Sequence, residues 1–260
     1  MNLSNLLIHT DQRVMRITIN RPNSLNALNA KTIEELSWAI DQAASDDAIR
    51  VVVITGAGDK AFVAGADITE IQTLDKNTTA HFVQRGHETM LKIQNLGKPV
   101  IAAINGYALG GGCELALACT LRIGSENALM GLPEISLGII PGFGGTQRLS
   151  RIIGTGRGLE MMLGGKPINA QKALDWGLLN QVVEQGQLME AVDQLAAHLS
   201  KSAPIAMHAI MDAVNKGADL PLEDGLEIEK DEFVKICGTR DMREGTTAFL
   251  EKRKAIFRGH

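Results

Sequence analysis

At 260 residues with 45% hydrophobic residues, the chain is long enough to bury one large core, which argues against an extended disordered protein. Its formal net charge of −4 gives no overall positive field to attract nucleic acid or an anionic membrane surface. The three cysteines form no Cys-x-x-Cys pair, which argues against a disulfide framework and a structural zinc site. We expect a cytoplasmic protein without a membrane span; a mature mitochondrial matrix form is the alternative, because a chain stripped of its targeting segment would look the same.

The first half of the chain alternates strand and helix patterns. Alternating polar and apolar residues from Arg13 to Ile19 predict a strand, which Pro22 ends. An apolar stripe predicts a helix over 31–44, and the β-branched run over 50–55 predicts a buried parallel strand. The remaining predicted elements of this half are a helix over 79–94 and a buried strand over 99–104.

The second half becomes mostly helical. Gly106 to Gly112 leads directly into a helix that starts near Cys113, so the amides at this turn are free donors. Pro204 suits the first turn of a helix, and Thr239 suits a helix cap. The predicted elements are strands around 121–123 and 128–130 and helices over 146–153, 156–163, 170–176, 188–199, 204–216, 222–236 and 241–254. Strand and helix alternation followed by helices indicates an α/β core with a helical C-terminal part.

A glycine motif offers one alternative function. The sequence Gly-Ala-Gly-Asp-Lys-Ala over 56–61 follows an apolar strand and has the spacing of a dinucleotide-binding loop. Another glycine, Gly65, follows where such a loop requires a continuous apolar helix. NAD binding is therefore the weaker interpretation of this segment.

Two acidic residues stand in otherwise apolar surroundings. Glu114 follows three glycines and Cys113, and Glu134 follows Pro133. A charge in such surroundings is costly unless it is paired or used. Taken singly, Glu114 could complement a helix dipole and Glu134 could cap a helix or lie on the surface. If the fold brings them together, one apparent pKa rises and the pair provides one acid and one base.

Several motifs, in the right order, resemble the enoyl-CoA hydratase (crotonase) family over nearly the whole chain. They are Asn20-Arg21-Pro22, Asn26-Ala27-Leu28, Gly65-Ala66-Asp67-Ile68, the segment 110–116, Leu132-Pro133-Glu134-Ile135, the segment 141–149 and the segment 249–254. The resemblance implies a crotonase-type spiral of ββα units with the active site in residues 1–198. It also implies a C-terminal helical region, 199–260, that forms a homotrimer, commonly paired into a hexamer, and completes part of the CoA site.

The same resemblance implies the site residues. Glu114 would orient and activate water, Glu134 would deliver the α-proton, and the amides of Ala66 and Gly111 would form an oxyanion hole. Substrate and CoA contacts are expected from Asn26, Ala27, Leu28, Ala64, Ala66, Asp67, Ile68, Gly142, Phe143, Phe249 and Lys252. No metal and no cofactor are expected, because coenzyme A is part of the substrate.

Two of these residues have competing interpretations. Phe143 stands where the family usually has a small residue, so its ring would line the acyl pocket and favour short chains. The alternative is that the ring points into the core. Lys252 belongs to a basic C-terminal run that could bind the adenosine-phosphate part of CoA, often that of a neighbouring subunit, or could simply be a solvated helix face.

The expected function is that of an enoyl-CoA hydratase in fatty acid β-oxidation, a lyase that reversibly adds water to a 2-enoyl-CoA to give a 3-hydroxyacyl-CoA. The presence of both acids favours this over a double-bond isomerase or a catalytically silent CoA-thioester-binding subunit. A hydratase for a branched or dicarboxylic enoyl-CoA, of the methylglutaconyl-CoA or dehydroadipyl-CoA type, is the nearest alternative. An RNA-binding relative is the alternative from another class, and the acidic charge balance argues against it.

Overall fold

Two β-sheets of unequal size and a set of C-terminal helices build the fold, and the computed structural model describes all residues, 1–260. The strands are β1 Leu6–Asp11, β2 Val14–Ile19, β3 Val51–Gly56, β4 Ala61–Val63, β5 Val100–Ile104, β6 Tyr107–Leu109, β7 Leu121–Ser125, β8 Leu129–Gly131, β9 Ile168–Asn169 and β10 Gln181–Val183. The helices are α1 Ala30–Ser45, α2 Ile68–Ile71, α3 Lys76–Gln94, α4 Gly111–Ala118, α5 Gly145–Ile153, α6 Thr155–Gly164, α7 Ala170–Asp175, α8 Leu188–Leu199, α9 Pro204–Gly217, α10 Leu222–Ile236 and α11 Arg240–Leu250.

The chain alternates between the two sheets as it advances. The larger sheet has the order β1-β2-β3-β5-β7-β10 and is parallel except for the pair β1 and β2. The smaller sheet has the order β4-β6-β8-β9, with only β9 antiparallel. The pairs β3 and β4, β5 and β6, and β7 and β8 each place one strand in each sheet before the chain enters a helical segment. This arrangement confirms the predicted α/β spiral of ββα units.

The central strands of the larger sheet are buried on both faces. Along β3, Val52 and Ile54 face the main core, whereas Val51 and Val53 face a second, smaller core. Helix α8 closes the second core, with Val192 at its centre. Burial on both faces explains the uninterrupted β-branched run in the sequence.

Helices α9 and α10 pack mainly against each other. Their backbones approach closely at two glycines, because a Cβ on Gly217 of α9 would lie 3.3 Å from the Cα of Gly225 on α10. Helix α10 buries no residue, and its Phe233 is 67% exposed. Further exposed apolar side chains on this pair are Ile210, Val214, Leu222, Leu226 and Val234. A single chain therefore leaves an apolar face uncovered here. The predicted division between 1–198 and 199–260 stays a prediction.

Most predicted elements are confirmed to within three residues at their ends. Pro204 occupies the first turn of α9. Thr239 caps α11, since its side chain accepts a hydrogen bond from the amide of Met242 at 3.1 Å. No helix combines the length and the apolar character that crossing a bilayer would require.

The predicted helix over 241–254 was too long, because α11 ends at Leu250. Lys252 has a φ of 56°, in the left-handed region. The amide of Arg253 then donates to the carbonyl oxygen of Ala248 at 3.0 Å, and that of Lys252 to Phe249 at 3.2 Å. These two bonds close the helix end in the geometry that usually requires glycine at the position of Lys252.

The glycine motif over 56–61 does not form a dinucleotide-binding loop. Strand β4 begins at Ala61, where such a loop would pass into a helix whose N-terminus holds the phosphates. A Cβ on Gly56 would overlap the carbonyl oxygen of Ala61, so this glycine serves the tight passage from one sheet to the other. The interpretation as an NAD site is wrong.

Candidate active site

Glu114 lies on α4, a short helix that starts directly after β6. The turn between them depends on glycine: Gly110 has a φ of 49°, and a Cβ on Gly112 would overlap the carbonyl oxygen of Val63. Every residue of α4 is buried, and Glu114 is 1% exposed. The carboxylate is therefore a charge inside an apolar helix, where it needs hydrogen bonds to be tolerated.

Backbone amides at the start of α5 hold Glu114 in place. Its Oε1 accepts hydrogen bonds from the amides of Phe143 at 2.8 Å and Gly145 at 2.7 Å, whereas Oε2 makes none within the chain. A Cβ on Gly145 would lie 2.9 Å from Oε1, so glycine permits this approach. Burial raises the pKa of Glu114 to about 7, and the nearby Glu134 adds to the rise. The two amides and the guanidinium of Arg148 oppose it.

Glu134 starts the 3₁₀ turn Glu134–Leu137, immediately after Pro133. It is 8% exposed, and its Oε2 is buried without a hydrogen-bond partner. A Cβ on Gly110 would lie 2.9 Å from Oε1, so glycine leaves room for the carboxyl group. Burial raises the pKa of Glu134. Glu114 and Glu134 line the same cavity, so the fold brings the two acids together.

Two free backbone amides lie side by side on the wall of this cavity. Gly111 is the first residue of α4, so its amide has no acceptor within the helix. The amide of Ala66 has no acceptor within the chain. A Cβ on Gly111 would lie 3.4 Å from the amide nitrogen of Ala66, which shows how close the two donors are. Such a pair can bind one oxygen atom that develops negative charge.

The cavity that these groups share has a volume of about 1070 Å³, at the upper end of the range for small-molecule sites. Four more of the predicted contact residues line it: Ala64, Ile68, Gly142 and Phe143. Both acids, both amide donors and these four residues thus surround one space.

Six predicted contact residues lie outside the lining, and three of them, Ala27, Leu28 and Asp67, support the segment that carries Ala66. The amide of Leu28 donates to the carbonyl oxygen of Gly65 at 2.9 Å, and the amide of Asp67 donates to that of Leu28 at 2.8 Å. The carbonyl oxygen of Ala27 and the side chain of Asp67 both accept hydrogen bonds from Arg21. These contacts fix the backbone on either side of Ala66.

Asn26 is the fourth of these residues and is 1% exposed. Its side-chain nitrogen donates to the carbonyl oxygens of Ala57 at 3.0 Å and Ala61 at 2.8 Å. The side chain therefore braces the turn between β3 and β4, and direct substrate contact by Asn26 stays a prediction.

Phe249 and Lys252 also lie outside the cavity of their own chain. Phe249 is 83% exposed near the end of α11, and Lys252 follows on the surface. Their predicted contact with CoA, including that of a neighbouring subunit, stays a prediction.

The two interpretations of Phe143 describe opposite sides of one ring. The ring is 2% exposed, belongs to the main core and has its centroid 5.2 Å from that of Phe82. A Cβ on Gly111 would lie 3.4 Å from Cδ2 of the ring, so its other edge lies beside an amide donor. Phe143 is a core residue that also forms part of the cavity wall.

One wall of the cavity and the hydrogen bonds that hold Glu114 were not predicted from the sequence. Helix α3, the loop before α5 and the first turn of α5 supply further lining residues, which include Thr79, Phe82, Val83, His87, Ile139, Ile140 and Gln147. The available signal for the amides that hold Glu114 was the pair Gly144-Gly145 directly before the predicted helix over 146–153. The first amides of a helix lack acceptors within the helix and are free to bind a carboxylate.

The chain is similar to known proteins over nearly its whole length. A family model described as enoyl-CoA hydratase/isomerase matches residues 9–260. The short-chain-enoyl-CoA hydratase of Clostridium acetobutylicum is 42% identical over 254 residues, covering 98% of this chain and 97% of that protein. The crotonyl-CoA hydratase of Syntrophomonas wolfei is 42% identical over 257 residues, covering 99% of each.

Among solved structures, an enoyl-CoA hydratase from Bacillus anthracis has a TM-score of 0.96 at 41% identity, covering 99% of this chain and 100% of that chain. These relatives confirm the prediction of an enoyl-CoA hydratase. The chain belongs to the enoyl-CoA hydratase/isomerase family.

Proposed function

We propose that the protein adds water to short-chain 2-enoyl-CoA thioesters of the crotonyl-CoA type, with Glu114 and Glu134 as its acid and base pair. The observation that carries this proposal is the placement of two buried carboxyl groups on one cavity beside the free amides of Ala66 and Gly111. Hydration of a conjugated thioester needs a base for water, an acid for the α-carbon and donors for the enolate oxygen, and this cavity offers a candidate for each.

The reaction follows from these positions. Glu114 takes a proton from water through the unpartnered Oε2 as the water oxygen bonds to the β-carbon. The electron pair of the double bond moves toward the thioester carbonyl, whose oxygen accepts hydrogen bonds from the amides of Ala66 and Gly111. Glu134 then gives its proton to the α-carbon, and exchange with solvent restores the starting protonation of the pair. One water is consumed, the carbon–carbon π bond is replaced by a C–O and a C–H bond, and no net oxidation or reduction occurs, so we propose no metal or redox cofactor.

The surroundings of the two acids support this division of labour. Two amides donate to Glu114 and favour its ionised form, which a base requires. Oε2 of Glu134 has no donor, and burial favours its neutral form, which an acid requires. Because the two groups interact, the titration belongs to the pair.

The preference for short acyl groups rests on two observations. The two hydratases cited above are named for short-chain and crotonyl substrates. In this chain the rings of Phe82 and Phe143 pack together in the cavity wall, where we propose that they restrict the space for the acyl chain. We propose a role in fatty acid β-oxidation, which fits the product class, a 3-hydroxyacyl-CoA.

We also propose a homotrimer or a hexamer of two trimers in the cytoplasm. The uncovered apolar face of α9 and α10 supports self-association. Association would also allow Phe249 and Lys252 to contact the CoA of a neighbouring subunit. The three cysteines are all free thiols, which suits a reducing compartment. Light scattering coupled to size-exclusion chromatography tests the assembly, and a mass of one chain would exclude it.

Initial hydration rates over a panel of crotonyl, longer straight-chain, branched and dicarboxylic 2-enoyl-CoA esters test the function. We expect the highest kcat/KM for crotonyl-CoA. A preference for a branched or dicarboxylic ester would show that this ester, and not crotonyl-CoA, is the substrate. Turnover of 3-enoyl-CoA without hydration would indicate an isomerase. Filter binding of RNA at physiological salt, without turnover of any ester, would overturn the proposal in favour of the RNA-binding alternative.

A further inference from the structure

Arg148 contacts the same backbone segment that holds Glu114. It lies on α5, and its guanidinium turns back toward the start of its own helix, where Nη1 donates to the carbonyl oxygen of Phe143 at 3.1 Å. The amide of Phe143 donates to Oε1 of Glu114 at 2.8 Å. One residue is therefore held at its carbonyl group by Arg148 and at its amide by Glu114.

A second contact fixes the guanidinium. Nε of Arg148 donates to Oε1 of Gln94, the last residue of α3, at 2.9 Å. Gly144 has a φ of 102°, and a Cβ there would overlap Nη1, so this glycine leaves the space that the guanidinium occupies. The planar group is thus held by one helix and one loop, which defines its orientation.

Arg148 also places a positive charge near the carboxylate. The charged and titratable groups around Glu114 are Glu134 from the 3₁₀ turn, Cys113 on the same helix, His87 from the α3 wall of the cavity, and Arg148. Among them Arg148 is positive throughout the neutral pH range. Its charge works against the burial that raises the pKa of Glu114, and so favours the ionised form that a base needs.

We propose that Arg148 is a positioning residue for Glu114: it holds the segment from Phe143 to Gly145 so that both amides stay on Oε1, and Gln94 anchors it. The inference rests on the proposed role of Glu114 as the base in hydration. Arg148 does not line the cavity, so we expect it to make no contact with the substrate. Its loss therefore lowers kcat and leaves KM nearly unchanged, because the ground-state binding groups stay in place.

Arg148→Met removes both hydrogen bonds and the charge while keeping much of the apolar stem. We expect kcat for crotonyl-CoA to fall by about 10²-fold, since small displacements of a reacting group have effects of this size. We also expect the acidic limb of the pH profile to move toward alkaline pH, because an opposite charge has been removed. A kcat and a pH profile equal to those of wild type would overturn the proposal, as would a loss of kcat with an unmoved acidic limb.

Arg148→Lys keeps the charge and loses the two-point geometry, so its acidic limb should stay within a few tenths of a pH unit of wild type while kcat falls. Arg157→Met is the matched control, because this arginine lies over the Trp176 ring, 5.3 Å from its centroid, and outside the cavity. It should behave as wild type. A loss in Arg157→Met as large as that in Arg148→Met would show a general effect of removing an arginine and would overturn the assignment.

Gln94→Leu tests the same role of Arg148 by a second route, in case Arg148→Met does not fold. It frees Nε of Arg148 but leaves the charge, so we expect a kcat loss of roughly 10-fold with unchanged KM and acidic limb. Wild-type kcat in a folded Gln94→Leu variant, combined with wild-type kcat in Arg148→Lys, would contradict the positioning role.

A readout independent of turnover separates this inference from the proposed function. Infrared difference spectra of the carboxylate band, with Glu114→Gln subtracted, measure the titration of Glu114 directly. A higher Glu114 pKa in Arg148→Met supports the inference even if wild type hydrates no enoyl-CoA, and an equal pKa overturns it even if wild type is an active hydratase.

Discussion

The ring of Phe143 fills the space that Gly86 leaves on α3. A Cβ on Gly86 would overlap Cδ1 and Cε1 of the ring, so no other residue fits at position 86 while the ring stays where it is. The opposite edge of the ring lies beside Gly111, one of the two amide donors. The position of an aromatic ring next to the oxyanion site is therefore set by a glycine on another helix.

Gly86→Ala should push the ring toward the cavity. Overpacking of this kind costs about 1–3 kcal/mol in the free energy of unfolding. The narrowed cavity should lower kcat/KM more for longer or branched enoyl-CoA esters than for crotonyl-CoA. Thermal melts and the chain-length profile measure both effects, and an unchanged profile would show that the ring does not limit the acyl site.

Phe143→Ala is the complementary change. Removal of a buried ring should cost about 3–5 kcal/mol through the cavity that it leaves. Longer substrates should gain relative to crotonyl-CoA by at most roughly 10–200-fold. In this background Gly86→Ala should lose most of its cost, because the atoms that it overlaps are gone. Additive costs of the two substitutions would contradict the contact between them.

Glu114→Gln and Glu134→Gln should each lower the hydration rate by at least ~10²-fold, because each removes one proton-transfer partner and keeps the shape of the side chain. Binding of CoA esters, measured by calorimetry, should survive. Glu126→Gln is the control, since this glutamate is exposed and does not line the cavity. Full turnover in either active-site variant would remove that residue from the mechanism.

Glu114 should also make stability depend on pH. Burial raises its folded pKa to about 7, above the unfolded value near ~4.3, so the folded state holds this proton more tightly. The resulting stabilisation is full below about pH 4 and is lost as the pH rises to about 7. Glu114→Gln does not titrate, so its unfolding free energy relative to wild type should be higher at pH 8 than at pH 5 by roughly 2–3 kcal/mol. Parallel curves of unfolding free energy against pH for the variant and wild type would show that burial does not raise the pKa of Glu114.

The sequence predicted those parts of the fold and site whose signals are local. Buried strands such as β3 and helices such as α1 have a clear period, and Glu114 and Glu134 stand out in short motifs. Strand β1 was missed because only Leu6 in it is buried, which leaves no alternation to recognise. Strands β4 and β6, of three residues each, were missed because they lie in the glycine-rich stretches 56–65 and 106–112, whose composition indicates loops and turns.

The hydrogen bonds at the site could not be predicted, because their partners are distant in sequence. The amides of Phe143 and Gly145 lie 29 and 31 positions from Glu114, and only the packing of α5 against α4 brings them together. Likewise, Gly86 looks like an unfavourable residue in a helix until the ring of Phe143 is seen beside it. Such pairings belong to the tertiary structure and leave no local mark.

Lys252 combines an unusual backbone with a predicted role, and two substitutions separate them. Its φ of 56° is costly for a residue with a side chain, so Lys252→Gly should leave the melting temperature unchanged or raise it.

If the ammonium group binds a phosphate of CoA, Lys252→Ala and Lys252→Gly should both raise KM for crotonyl-CoA more than they lower kcat, since a remote anchor binds ground and transition states alike. The effect should shrink as salt is added. Lys254→Ala is the matched control, because Lys254 is also exposed and has no predicted contact. Equal KM values for all four proteins at low ionic strength would make Lys252 an ordinary surface residue whose strained backbone has another cause.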